Sequence, residues 1–296
     1  MRLILIHGIN NANKTTGEIE ASWMDELKFS WKSAGLKIPS DLTVKTANYG
    51  TELADFSRAT TDAVKAGFQS RTISTQEFAL YQEYADYLGI SAEQIETAAN
   101  AHGFDTQAIE QGAPHEAWII GIASVLESLL PDKGAYIAEK FLRQAAVYVE
   151  RKGVQTAIKS LVRRQVFQSG QDGPTVIVAH SLGTVVSYEL LTQEPVAAND
   201  VRLFCTLGSP LAARIICNYV GKRTDFPRPP IASWFNAHQR EDFVTMGRGL
   251  SKESLGFDGV EDYGEVVNYE EDKHDLLSYL RDQSVVQHIH AALVSG

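Results

Sequence analysis

Hydrophobic and polar positions follow two regimes along this chain. In the first, residues 3–6, 175–179, 201–207 and 231–237 form short apolar runs with little alternation, rich in β-branched and aromatic side chains. Such runs predict strands buried on both faces, as in a parallel sheet covered by helices. Residues 42–47 alternate Leu, Val and Ala with Thr and Lys, which predicts a strand nearer the sheet edge. Gly264, Glu265, Val266, Val267 and Asn268 predict a short last strand. The second regime has the helical period. Ile19, Trp23, Leu27, Trp31 and Ala34 share one helix face, with Gly35 as its stop. Residues 154–167 form another helix with a basic end. Between residues 51 and 151 only helical periodicity occurs, broken at Gly67, Gly89, Gly103 and residues 112–114. Trp118, Ile122, Val125 and Leu126 lie on one such face, and Ile137, Phe141, Leu142 and Tyr148 on the next.

The chain is organised around Thr175-Val176-Ile177-Val178-Ala179-His180-Ser181-Leu182-Gly183-Thr184-Val185-Val186. A buried-strand pattern stops at a serine and a helical pattern starts directly after it. A strand-to-helix turn this sharp brings two backbones close together, so the positions two residues either side of the serine must be small. Ala179 and Gly183 are. The arrangement resembles the nucleophile elbow of the α/β-hydrolase family, whose pattern is G-x-S-x-G, with alanine here in the first place. The first strand ends in His7-Gly8-Ile9-Asn10-Asn11, which resembles the family's His-Gly oxyanion loop. The resemblance implies that backbone N–H groups of Ile9 (or Asn10) and Leu182 would bind the oxyanion. Fixed dipoles suit that task because they need no reorganisation when charge develops. Leu207-Gly208-Ser209-Pro210, at the end of the run at 201–207, also resembles lipases and esterases of this family, and makes Ser209 a rival serine of structural or pocket-lining role.

A serine hydroxyl becomes a nucleophile only when a histidine takes its proton, and a carboxylate must orient that histidine. In the family the chain order is Ser, then Asp or Glu, then His, each past a later strand. Asp242, a few residues beyond the strand at 231–237 and followed by Phe243-Val244, fits the acid, with Glu241 as the neighbouring alternative. His274, in the loop after the last predicted strand and opening a helix, fits the base. His180 is expected to pack behind the elbow. His288 and His290 lie in a later helical run and read as surface or partly buried side chains.

Composition narrows the reading. A net charge of −10 with no basic patch argues against a nucleic-acid partner. Cys205 and Cys217 have no metal-like spacing and read as reduced thiols. The first residues are too short an apolar run for a signal peptide. Residues 117–130 are interrupted by Ser124, Glu127 and Ser128 and fall short of the ~20 residues a membrane span needs. The expected address is the cytoplasm.

The resemblance covers residues 1–50 and 151–296, without the family's first two strands. It implies a reduced α/β-hydrolase core: a mainly parallel sheet of about six strands with helices on both faces. Residues 51–150 would form a helical cap. The implied activity is carboxylic ester hydrolysis by Ser181, His274 and Asp242, with Asn10 and Trp118 as substrate contacts and no metal or organic cofactor. The implied partner is a small-molecule or lipid ester, with membrane-surface contact through the cap as a further expectation. Other acyl chemistry on the same triad (thioester, amide or acyl transfer) and a non-catalytic binding protein on the same fold are the alternatives.

Overall fold

The computed structural model describes residues 1–9, 11–65, 74–103, 115–130, 132–167, 173–193 and 200–294. Six strands, β1 (Arg2–Ile6), β2 (Thr43–Ala47), β3 (Thr175–His180), β4 (Val201–Leu207), β5 (Ile231–Ala237) and β6 (Val260–Tyr263), form one sheet in the order β2-β1-β3-β4-β5-β6. Every pair is parallel. From β1 the chain goes outward to β2, then returns to place β3 on the other side of β1. Ligands of open α/β sheets bind where the order reverses in this way, beyond the carboxyl ends of the strands. His7-Gly8 and Ser181 lie there.

The strands are parallel and central because both of their faces can be buried. Leu3, Leu5, Val176, Val178, Leu203, Cys205, Leu207 and Phe235 point to one face. Ile19, Trp23, Leu27 and Trp31 of α1 (Thr16–Ser33) pack there, with residues of two C-terminal helices, α11 (Leu276–Arg281) and α12 (Gln283–Val294). Each such side chain contributes about 1.5–3 kcal/mol by leaving water. A capping box between Thr15 and Glu18 starts α1, and the Trp31 indole N–H donates to the Val286 carbonyl at 3.1 Å, so burial leaves that group satisfied. On the opposite face α8 (Leu182–Thr192) packs on β1 and β3, with Tyr188 against Trp234. Helices thus cover both faces of the sheet.

The last strand differs from its expected position. β6 is residues 260–263, whereas residues 264–268 are irregular. Val266 is buried, but as a loop side chain against the core. The strand itself carries Glu261 and Asp262, and its register comes from pairing with β5. The Asn236 amide donates to Asp262 at 2.7 Å and the Leu250 N–H donates to it at 2.8 Å. Of the apolar pair here, Val266 is buried and Val267 is exposed, and neither lies in a strand.

The chain divides into two compact units, residues 1–52 with 156–296, and residues 53–155. Among the described residues of the second unit there is no strand. Its helices α3 (Thr75–Tyr87), α4 (Ala92–Ala101), α5 (His115–Leu129) and α6 (Asp132–Glu150) pack on one another. Gly121 allows α5 to meet α4, since a Cβ there would stand 2.4 Å from the Ile95 carbonyl oxygen. Gly89 and Gly103 follow α3 and α4 with positive φ; Gly67 and residues 112–114 lie outside the described residues. Among the described residues no helix is long and apolar enough to cross a membrane.

Candidate active site

Ser181 sits between β3 and α8 with φ 57° and ψ −133°, a conformation that L-residues with a Cβ rarely adopt. Neighbouring backbone over-determines it. The Ser181 N–H donates to the Leu207 carbonyl at 3.0 Å. The Thr184 hydroxyl donates to the Ser181 carbonyl at 2.7 Å, and the Ser209 hydroxyl lies 2.8 Å from Thr184. Because a hydroxyl has one proton and Thr184 gives its own to the carbonyl, Ser209 donates to Thr184. Ser209 also accepts from the Leu211 N–H, so the rival serine is a brace for the elbow.

Two glycines let the strands close around this turn. A Cβ on Gly8 would stand 2.3 Å from the Ser181 Cβ, and one on Gly183 would stand 2.4 Å from the His7 carbonyl oxygen. Both distances are far below contact. The first positions of the two loops are therefore in direct apposition. Among the described residues, the N–H groups of Ile9 and Leu182 donate to no acceptor. Asn10 lies outside the described residues.

His7 fixes the loop after β1. Its Nδ1 is 2.6 Å from the Gly8 carbonyl oxygen, which can only accept, so the proton is on Nδ1. Nε2 is then bare and accepts from the Tyr49 N–H at 3.2 Å. The Tyr49 ring stacks on the imidazole at 4.4 Å and its hydroxyl donates to the His7 carbonyl. Burial pushes the His7 pKa down to about 4, against the Gly8 and Asn48 oxygens, which would favour the protonated ring. His7 is neutral across the physiological range.

The other side of the site comes from two loops. Asp242 follows β5 and is fully buried. One of its oxygens accepts from the Val244 N–H at 2.8 Å; the other accepts from the Tyr279 hydroxyl at 2.7 Å and meets His274 Nδ1 at 2.8 Å. The carboxylate only accepts, so His274 carries its proton on Nδ1 and leaves Nε2 bare. That is the tautomer a general base needs. Burial opposes charge on His274, but Asp242, by charge and hydrogen bond, and then Asp272 and Asp275, outweigh it and raise the pKa. Glu241 points elsewhere, with its carboxylate 3.7 Å from Lys273. Asp258 pairs with Lys252 at the surface. His288 stacks on Phe235 and meets Glu261, and His290 meets the Lys37 carbonyl.

His274 lies in an irregular loop that is held by side chains. Its N–H donates to Asp272 at 2.9 Å. Asn268 donates to the Asp272 carbonyl and accepts from the Glu270 N–H and the Ser278 hydroxyl. Gly208, with φ 55°, passes beneath the pair: a Cβ there would stand 3.0 Å from the His274 ring and 3.1 Å from Asp242. His180 stacks on the His274 ring. Tyr279 and Asn268 carried no functional signal in the sequence, and Gly208 only as part of Leu207-Gly208-Ser209-Pro210. Gly208 was the most accessible of them, as a glycine at a strand end before Ser-Pro.

Ser181 Oγ and His274 Nε2 are both buried, and neither has a hydrogen-bond partner among the described residues. Trp118 belongs to the helical unit, half-buried and edge-on to Phe78. Among the described residues no cluster of three or more His, Cys, Asp or Glu side chains could hold a metal ion. Compared with known proteins, the chain matches no family model, and no curated protein is significantly similar to it.

Proposed function

We propose that the protein is a serine hydrolase of the α/β-hydrolase type that cleaves carboxylic esters. The observation that carries this reading is the pair of unpartnered atoms. Ser181 Oγ and His274 Nε2 are the atoms between which a proton would pass, and both are left unsatisfied in a buried setting. Most buried polar groups are paired. Tyr188 Oη and His238 Nδ1 are also without a hydrogen-bond partner among the described residues, but only Ser181 and His274 combine this with a strained strand-to-helix turn and a carboxylate-set tautomer. His274 also has the required tautomer, set by Asp242 at 2.8 Å.

In this reading Ser181 Oγ forms a bond to the ester carbonyl carbon as its proton moves to His274 Nε2. The resulting oxyanion accepts from the Ile9 and Leu182 N–H groups, each worth roughly 10²–10³ in rate. Collapse breaks the bond to the leaving alkoxide, which takes the proton from His274. Water then repeats the sequence on the acyl-enzyme and releases the acid. Asp242 holds the imidazole and stabilises its charged form, and Tyr279 and Val244 hold Asp242.

The test is labelling with a fluorophosphonate, located by peptide mass spectrometry. Labelling is expected at Ser181 alone, absent in Ser181→Ala and abolished in His274→Ala. No labelling of the folded wild type overturns the proposal. For a labelled enzyme, matched ester, thioester and amide substrates then separate the acyl chemistries.

A further inference from the structure

His180 touches the site but has no part in the steps above. It is the last residue of β3, adjacent to Ser181 in the chain, and buried. Its ring lies 4.5 Å from that of His274, with 28° between their planes. Its Nε2 is 3.1 Å from the His274 carbonyl oxygen. A carbonyl only accepts, so His180 donates through Nε2–H. One side chain on the nucleophile's strand thus grips both the ring and the backbone of the residue proposed as base.

The grip supplies what the other contacts lack. The torsion that turns a histidine ring is broad, and His274 stands on an irregular loop. A single hydrogen bond from Nδ1 to Asp242 sets one direction and leaves rotation about that line open. A stacked face removes it. We propose that His180 is a positioning residue, which sets the plane of the His274 ring and keeps water from its stacked face. The consequence for turnover rests on the serine-hydrolase reading; the geometric claim does not.

The charged and titratable groups around His274 are Asp242, Asp272, Asp275, Tyr279 and His180 itself, with His7 beyond His180. Burial, and then the adjacent His274 charge, hold the His180 pKa well below the usual range. His274 therefore takes the proton of the pair, and His180 stays a neutral donor.

Three variants test the role: His180→Ala removes stack and donor, His180→Phe keeps the stack, and His180→Gln keeps a donor. Activity on a short p-nitrophenyl ester is measured against pH, and the His274 ring is titrated by NMR. In His180→Ala, kcat is expected to fall about 10- to 100-fold, with KM within about twofold of wild type. Its acid limb is expected at higher pH, because water reaching the ring relieves the burial that opposes charge. His180→Phe should restore the limb and most of kcat, and His180→Gln neither. An Ala variant matching wild type in kcat and limb overturns the proposal. If the Ala variant does not fold, Phe against Gln decides, and Gln equal to or better than Phe overturns it. A wild type without turnover or labelling sinks the hydrolase reading instead. The NMR titration then judges the clamp: a raised His274 pKa in His180→Ala supports it and an unchanged one overturns it.

Discussion

At the ends of β1 and β3 the site is made of backbone drawn close by glycine, whereas around Asp242 and His274 it is made of side chains tied to one another. Gly8 and Gly183 allow two strand ends to touch at distances no Cβ would permit. On the other side Asp242 is held locally by the Val244 N–H and, from far along the chain, by Tyr279 and His274. The first wall is rigid because its strands are hydrogen-bonded on both sides and buried. The second is rigid only as far as its polar network is complete, since each partner lost leaves a buried group unpaired. The histidines differ accordingly. His7 is kept neutral by burial, and His274 is biased toward charge by three carboxylates.

The largest effect that tests this contrast lies in the polar wall. Asp242→Asn preserves shape but reverses the tautomer of His274, so ester kcat/KM should fall about 10⁴-fold, or about 5 kcal/mol. A loss below tenfold would remove Asp242 from its assigned role. On the backbone wall, Gly8→Ala should cost about 10³ in activity and about 2–3 kcal/mol in urea unfolding. Gly17→Ala, whose Cβ meets nothing within 4 Å, is the control and should change neither by much. Equal behaviour of the two alanine variants would show that close approach is not what the site requires.

The His7 corner has a pH signature of its own. The unfolded side chain takes a proton near pH 6.5, while the folded one resists it to about 4. Its advantage to the folded state is complete above 6.5 and lost as pH falls toward 4, a change of about 3 kcal/mol. His180 acts in the same direction. His274, with its raised pKa, acts oppositely: its contribution is present below 6.5 and lost as pH rises through the folded value. Urea unfolding from pH 7 to 4 should therefore show a decline that is shallower in His7→Asn, and an equal slope would refute the assignment. The smallest expected effect belongs to Asp272→Asn. It keeps an acceptor for the His274 N–H but removes a charge that raises the His274 pKa. The acid limb of ester hydrolysis should move to lower pH; a limb that stays or rises would show that Asp272 acts only through structure.

The two walls were unequally legible. β4 and β5 occupy the spans their apolar runs predict, and β1 and β3 differ from theirs by a residue at an end. Ser181 stands at the turn its flanking small residues required. These features are local: a buried strand, a tight turn and a helix each leave a pattern within a dozen residues. The edge strand β6 left none, because an acidic edge segment is recruited by the ladder of β5 rather than by burial. Asp242 fitted the acid best by its position, with its neighbour Glu241 left as the alternative, and the packing of the loop after β5 turned the first inward to His274 and the second toward Lys273.

The order of apolar runs and the small residues at 179 and 183 were sufficient to predict a parallel sheet with a serine at a sharp strand-to-helix turn. Backbone sterics and burial act over short stretches of chain, and both are written in residue size and polarity. The tertiary structure alone decided that Tyr279 and Gly208 meet Asp242, that Asn268 closes the His274 loop, and that His180 stacks on His274. Apart from the Asn268 contacts, which lie within one loop, these join residues from different strand ends. Each depends on where the sheet brings its carboxyl edges together, which no local pattern encodes.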